Sequence, residues 1–133
     1  MRLMRLSVSV CLLLGAIVVA GCGTSAGKHD AGDVAARFVA AVSARDGAAA
    51  CGLLTAQARE SVSGATEASC AEAVLNVDEH GSPVHRVVVW GDAAQVLIGT
   101  DVVFLVHLRM GWRVVAAGCQ PQLGAPYKCD VDG

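Results

Sequence analysis

Cysteine is the residue type with the most chemistry available in this 133-residue chain, which contains six of them. A thiol can be acylated, ligate a metal or form a disulfide. No two of these cysteines have the close Cys-x-x-Cys type of spacing found in zinc sites and redox enzymes, so acylation and disulfide formation are favoured. The six are Cys11, Cys22, Cys51, Cys70, Cys119 and Cys129.

The N-terminus has the three-part layout of an export signal. Two arginines lie within the first five residues, an apolar segment follows over residues 6–19, and two small residues then precede Cys22. The apolar segment is shorter than the roughly 20 residues that a membrane-spanning helix needs. The pattern therefore predicts an export signal, with an uncleaved anchor helix as an alternative.

The run Val-Ala-Gly-Cys at residues 19–22 resembles the lipobox of bacterial lipoproteins. That resemblance implies a lipoprotein signal peptide over residues 1–21 and a diacylglyceryl group on the thiol of Cys22. The mature chain would then be lipid-anchored at the outer, extracytoplasmic face of the cell membrane. A plain secretory signal with an incidental cysteine is the other alternative.

The cysteine count agrees with acylation of Cys22. Five cysteines follow residue 21, and an odd number leaves one thiol unexplained in an exported protein. If Cys22 carries lipid, the other four can form two disulfides. Of the three possible pairings we favour Cys51 with Cys70 and Cys119 with Cys129, because each pair is local in the sequence.

Charge argues against a nucleic-acid partner. The chain has ten basic and twelve acidic residues, and two of the basic ones, Arg2 and Arg5, belong to the leader, so the remainder has a formal charge near −4. A nucleic-acid-binding domain needs a basic face. No basic cluster follows Cys22, so lipid rather than charge is expected to hold the membrane.

The first half of the mature chain is predicted to be helical after a flexible tether. Residues 22–32 are small and polar and read as the tether. Apolar residues at four-residue spacing predict a helix over residues 33–45, the first of a single domain spanning residues 33–133. Shorter helices are expected over 48–54, from 55 onward and over 70–75, with a Ser/Gly-rich loop over 61–66.

The second half is predicted to be a sheet. Four β-rich runs occupy residues 84–90, 93–98, 102–109 and 112–117, and the breaks between them are short and contain glycine. Such breaks form hairpins, so the runs predict an antiparallel meander. The fold class is therefore α+β, with N-terminal helices packed on a curved four-stranded antiparallel sheet.

In this arrangement the chain resembles the NTF2-like (cystatin-like α+β) superfamily, and in particular small actinobacterial lipoproteins of that type. The segments that carry the resemblance are residues 35–41, 50–54, 69–74, 111–114, 117–119 and 127–129. The resemblance implies a cone between the sheet and the helices, in which enzymes of this fold place their acids, histidines or tyrosines. The domain is short for such a cone, which implies a shallow pocket or none.

The residues that could act in such a cone are few. They are His85, Asp101, His107 and Tyr127. His107 lies in the middle of a strand between apolar residues, and it could act as an acid or base if it faces the helices. A solvent-exposed or structural role for His107 is the favoured alternative. Trp90 and Trp112 could stack a ligand but more often pack against strand ends.

The sequence therefore predicts a binding or accessory function and no specific reaction. We expect a membrane-anchored, non-enzymatic binding or accessory domain, with no catalytic, metal or cofactor residues. The membrane is contacted through the lipid on Cys22, and an envelope protein or a small apolar ligand is the further partner. The alternative is an NTF2-like enzyme that uses His107 with an acid in the cone pocket.

Overall fold

A computed structural model describes residues 24–65, 67–79 and 83–133. Four helices and a short 3-10 turn come first, and a sheet follows. The helices are α1 Thr24–Ser43, α2 Gly47–Leu53, α3 Ala56–Gly64 and α4 Cys70–Ala73, with the 3-10 turn at Val74–Asn76. The strands are β1 Val84–Trp90, β2 Ala93–Ile98, β3 Asp101–Leu108, β4 Gly111–Gln122, β5 Ala125–Lys128 and β6 Val131–Asp132. The fold is therefore α+β, with helices followed by a curved antiparallel sheet, as predicted.

Side chains cap the short helices, whose first N–H groups have no partner within the helix. Asp46 accepts a hydrogen bond from the N–H of Ala49 (3.0 Å), and Thr55 accepts one from the N–H of Ala58 (3.1 Å). At α4 the carboxylate of Glu72 accepts hydrogen bonds from the N–H (3.2 Å) and the hydroxyl (2.9 Å) of Ser69. The capping-box spacing seen in the sequence is thus used in the structure.

The sheet is a meander in the order β1-β2-β3-β4-β5, and β6 pairs with β4. One row across it is Val89, Ala94, Leu105 and Val114, each residue paired with the next. This row faces the helices, because Ala94, Leu105 and Val114 belong to the core shared with α1, α2 and α3. The pairing of β3 with β4 has two register shifts, which bend the second half of β4.

The core lies between the helices and the inner face of the sheet. Phe38 on α1 and Leu54 after α2 are fully buried, together with Leu105 and Val114 from the strands. Leu54 forms a single parallel bridge with Val114, and the N–H of Thr55 donates to the carbonyl of Val114 at 2.9 Å. This bridge joins the helical layer to the sheet through the backbone as well as through side chains.

Two disulfides crosslink the domain with the pairing favoured from the sequence. Cys51 on α2 is bonded to Cys70 at the start of α4, and Cys119 on β4 is bonded to Cys129 after β5. The second bond closes a smaller cluster on the outer face of the sheet, where the tail covers apolar side chains. That cluster contains Val102, Ala116, Cys119, Leu97, Phe104 and Cys129.

The predicted tether is wrong in its conformation for the residues that the structure describes. Residues 24–32 belong to α1, which runs from Thr24 to Ser43 rather than over residues 33–45. Ala31 is fully buried in the core, and burial of this turn outweighs the roughly 1 kcal/mol that each glycine costs within a helix. The signal peptide and Cys22 lie outside the described residues.

Two further expectations are corrected. The segment predicted as a loop over 61–66 is helical as far as Gly64, because Val62 is buried against the core and anchors the last turn of α3. The sheet also has two strands beyond the predicted four, β5 and β6, both of which pair with β4. Their residues are mostly exposed, so they lack the apolar alternation by which a strand is recognised in a sequence.

Candidate functional site

His107 lies on the helix side of the sheet but at its exposed end. It shares a face with Leu105, is paired with Trp112 across the strands, and its ring meets that of Trp112 edge to face at 5.0 Å. The imidazole is exposed to solvent. It lines an open cleft of about 240 Å³ between α1 and the β3–β4 hairpin, together with Asp30, Asp33 and Arg37.

The groups in this cleft do not form an acid–base pair with His107. His29 lies 3.6 Å from Asp30 and 3.5 Å from Asp33, so these two carboxylates have a nearer exposed partner on α1 itself. Among the described residues, His107 has neither a side-chain hydrogen bond nor an ion pair with a carboxylate. General acid–base catalysis requires such contact, directly or through one water.

The other candidate residues are dispersed. His85 is exposed on β1, and Asp101 is buried at the start of β3, far along the strand from His107. Tyr127 packs edge to face on Phe104 at 5.2 Å, and its hydroxyl accepts a hydrogen bond from Gln95 at 3.2 Å. The structure therefore gives Tyr127 a packing role on the outer face of the sheet.

A second group of acids, which the sequence analysis missed, lies at the opposite end of the sheet. Glu79 reaches across to β4, where its Oε1 accepts a hydrogen bond from the N–H of Gly118 at 3.0 Å. Asp130 makes the reciprocal contact, since its Oδ2 accepts from the N–H of Asp78 at 3.0 Å. Two carboxylates thus join the segment after the 3-10 turn to β4 and the tail.

Burial perturbs Glu79. The pKa of its carboxyl is raised from 4.5 to about 7, chiefly by desolvation; the hydrogen bond from Gly118 lowers this pKa, and the carboxylates of Asp101, Asp130 and Asp78 add to the increase. The other oxygen, Oε2, is buried without a hydrogen-bond partner among the described residues. The neutral carboxyl is therefore favoured in the folded chain at pH values below about 7.

The acids around Glu79 do not form a metal centre. Among the residues that the structure describes, no group of three or more His, Cys, Asp or Glu side chains has an arrangement that could hold an ion. The open cleft beside them, about 260 Å³, is lined by Gly118, Gln120, Lys128 and Asp130 among others. In the sequence, Glu79 carried no signal, because its contact with Gly118 spans 39 residues.

Large apolar side chains are exposed at the two ends of the sheet. Trp90, Leu108 and Met110 are 51%, 44% and 78% exposed and lie beside the β1–β2 and β3–β4 turns. Leu123 is fully exposed in the β4–β5 turn, at the other end of β4. Trp112, by contrast, is only 5% exposed and belongs to the core. The two tryptophans of the chain thus have different environments.

Comparison with protein-family models, with curated proteins and with solved structures gives no match. Among the described helices, none combines the length and the apolar character needed to cross a bilayer.

Proposed function

We propose that this chain is an exported lipoprotein, lipid-anchored through Cys22 at the extracytoplasmic face of the cell membrane, with a non-enzymatic accessory domain that binds a protein. The observation that carries the proposal is the state of the cysteines. All four that follow Cys22 are paired in local disulfides, so Cys22 is left over after the leader is removed. Disulfides of this kind are typical of proteins that fold outside the cytoplasm.

The order of helices before a curved antiparallel sheet supports an NTF2-like fold for this domain. In the part of the chain that the structure describes, the space between helices and sheet holds the side chains of Phe38, Leu54 and Leu105, all of which are buried. Clefts of about 210–260 Å³ open on the surface. Sites for small ligands usually measure about 300–1,000 Å³. These features favour a protein partner over a small apolar ligand.

The enzyme alternative finds less support. It needs His107 and an acid in contact within an enclosed site, whereas His107 is exposed and the acids of its cleft lie near His29. The group with a raised pKa is Glu79, which lies at the opposite end of the sheet. An active site would combine a histidine in a cleft with an acid of perturbed pKa, and in this fold the two groups are separated.

The lipid anchor can be tested by metabolic labelling. Cells that express the full chain are given a fatty acid with an alkyne group, and the protein is then isolated and its N-terminus determined. The wild type should be labelled and should begin at Cys22, and Cys22→Ala should be unlabelled and keep its leader. Cys11→Ala is the matched control and should be processed as the wild type is. An unlabelled wild type, or normal processing of Cys22→Ala, would refute the anchor.

A further inference from the structure

Three large apolar side chains are exposed beside two turns at one end of the sheet. Trp90 ends β1, Leu108 ends β3, and Met110 lies in the β3–β4 turn. The N–H of His107 donates to the carbonyl of Asp92, which holds the β1–β2 turn beside the end of β3. We call the set Trp90, Leu108 and Met110 the hairpin edge. Its three side chains are among the most exposed large apolar residues of the described chain.

The N-terminal part of α1 lies at the same end of the domain. Asp30 and Asp33 line one cleft with Met110, whereas at the far end of α1 the guanidinium of Arg45 donates to the carbonyl of Leu75 at 3.1 Å. The side chains of residues 28–30 are exposed, and Ala31, which follows them in the helix, is fully buried. Asp30 is six positions after Thr24, which is a distance of about 9 Å along a helix.

The proposed lipid site is close to α1 along the sequence. Cys22 is two residues before Thr24, so their Cα atoms are at most about 7.6 Å apart. The polar headgroup layer of a bilayer is about 5–7 Å thick on each side. A lipid on Cys22 would therefore keep the start of α1 within or just above the headgroup layer. The short distance along α1 leaves the hairpin edge within reach of the same layer.

The side chains of the edge suit that position. Tryptophan is enriched at membrane interfaces, where an apolar ring with a polar N–H is stable. Arg109, also exposed, stands between Leu108 and Met110 and can pair with phosphate oxygens. If the hairpin edge faced water, three large apolar side chains would be exposed to solvent at the end of the domain nearest the proposed lipid.

We infer that the hairpin edge of Trp90, Leu108 and Met110 inserts into the lipid headgroup layer and orients the anchored domain on the membrane. The inference rests on the proposed lipid at Cys22. It replaces a freely rotating domain by one with a defined orientation. The opposite end, with Leu123 and the disulfide between Cys119 and Cys129, is then turned away from the membrane and available to a protein.

The two tryptophans allow a direct test on the lipidated full-length product. The purified protein is reconstituted into phosphatidylcholine–phosphatidylglycerol vesicles, with and without bromine on the acyl chains near the headgroups. Bromine quenches tryptophan emission only at contact distance. We expect Trp112→Phe, which keeps Trp90, to lose emission at least about twofold in brominated vesicles. Trp90→Phe, which keeps Trp112, should be unaffected.

A pair of matched variants tests the role of the edge. Met110→Asp adds a charge at an exposed edge residue and should reduce the quenching of Trp90, whereas Leu123→Asp makes the same change at the opposite end and should leave it unchanged. If Trp112→Phe does not fold, the difference in quenching between the wild type and Trp90→Phe gives the same information. Trp90 and Trp112 are the only tryptophans in the chain.

The outcomes separate the inference from the proposal beneath it. Intact mass shows whether each sample carries the lipid. Lipidated protein whose Trp90 is not quenched would overturn the membrane-facing edge and leave the anchor intact. Lipidated protein whose Trp90 is shielded from both brominated lipid and aqueous iodide would place a second protein copy on the edge and would also overturn it. Protein without lipid on Cys22 would overturn both.

Discussion

At the scale of single residues, the carboxyl of Glu79 is the most perturbed group described. It lies between the 3-10 turn and β4, where it accepts a hydrogen bond from Gly118, and Asp78, Asp101 and Asp130 lie around it. Burial favours its protonated form, so ionisation works against the fold. It lies at the opposite end of the sheet from His107, and its ionisation is expected to affect stability.

This perturbation predicts how stability depends on pH. Because the pKa of Glu79 is about 7 in the folded chain and near 4.5 in the unfolded chain, the folded state holds more protons between these values. The stability due to this group is greatest at low pH and is lost as the pH rises from about 4.5 to 7. Allowing for partial solvent contact, the loss is on the order of 2 kcal/mol.

Urea unfolding at pH 5 and pH 8 measures the effect. Glu79→Gln cannot ionise and should abolish this part of the pH dependence, so that it exceeds the wild type in stability at pH 8. Glu72→Gln is the control, because hydrogen bonds from Ser69 lower the pKa of Glu72, and its contribution is lost on acidification instead. Parallel pH profiles for the wild type and Glu79→Gln would contradict this assignment.

Gly47 is the second residue with a sharp prediction. A Cβ at this first residue of α2 would overlap the carbonyl oxygen of Ala71, so α2 and α4 can approach this closely only with glycine at the contact. Gly47→Ala should destabilise the domain by about 1–3 kcal/mol. Gly52→Ala on the same helix meets no atom within 4 Å and should stabilise it by about 0.4–1 kcal/mol. Thermal unfolding of the oxidised proteins distinguishes the two, and equal effects would contradict the described contact.

At the scale of elements, α1 determines how closely the folded domain is tied to Cys22. It begins at Thr24, and the first buried side chain among those described on it is Ala31, so little chain remains between Cys22 and the folded domain. A flexible linker would have let the domain turn freely above the membrane. A helix that begins two residues after the proposed lipid site would instead couple the anchor to the sheet.

The extent of α1 is tested by one buried and one exposed alanine. Ala31→Asp buries a charge without a partner and should cost on the order of 3–5 kcal/mol, because Ala31 is fully buried. Ala36→Asp makes the same change on the exposed side of the helix and should cost less than about 1 kcal/mol. Urea unfolding measures both, and a neutral Ala31→Asp would restore residues 22–32 to a tether.

Much of the fold could be predicted from these elements, and the exceptions have physical reasons. The four central strands alternate apolar and polar residues between glycine-containing turns, and the capping box at Ser69 and Glu72 is a local signal. The start of α1 was missed because Gly27 and Gly32 weaken the local helix pattern, whereas burial of Ala31 depends on the assembled core.

The candidate site was less predictable. The face of the sheet on which His107 lies follows from strand alternation, but its exposure depends on how far α1 covers the end of β3. Glu79, Gly118 and Asp130 meet only in the folded chain, through contacts over 39 and 52 residues. Neither the exposure of His107 nor the contacts of Glu79 produce a pattern that can be recognised in the sequence.

At the scale of the whole molecule, the domain has two distinct ends, which the proposed lipid site and the disulfide between Cys119 and Cys129 distinguish. The hairpin edge lies at one end, where Met110 lines a cleft with Asp30 and Asp33 of α1. The disulfide between Cys119 and Cys129, the group around Glu79 and the exposed Leu123 lie toward the other. Under the proposed anchoring, the second end faces away from the membrane and offers a surface held rigid by the tail.

The central claim is that Cys22 carries the lipid while the other four mature cysteines are oxidised. Intact-mass analysis of the protein extracted from membranes, before and after reduction, tests both parts together. We expect a chain that begins at Cys22, carries the mass of a diacylglyceryl group and gains four hydrogens on reduction. A chain that retains residues 1–21, begins elsewhere without lipid, or has free thiols at Cys51, Cys70, Cys119 or Cys129 would contradict it.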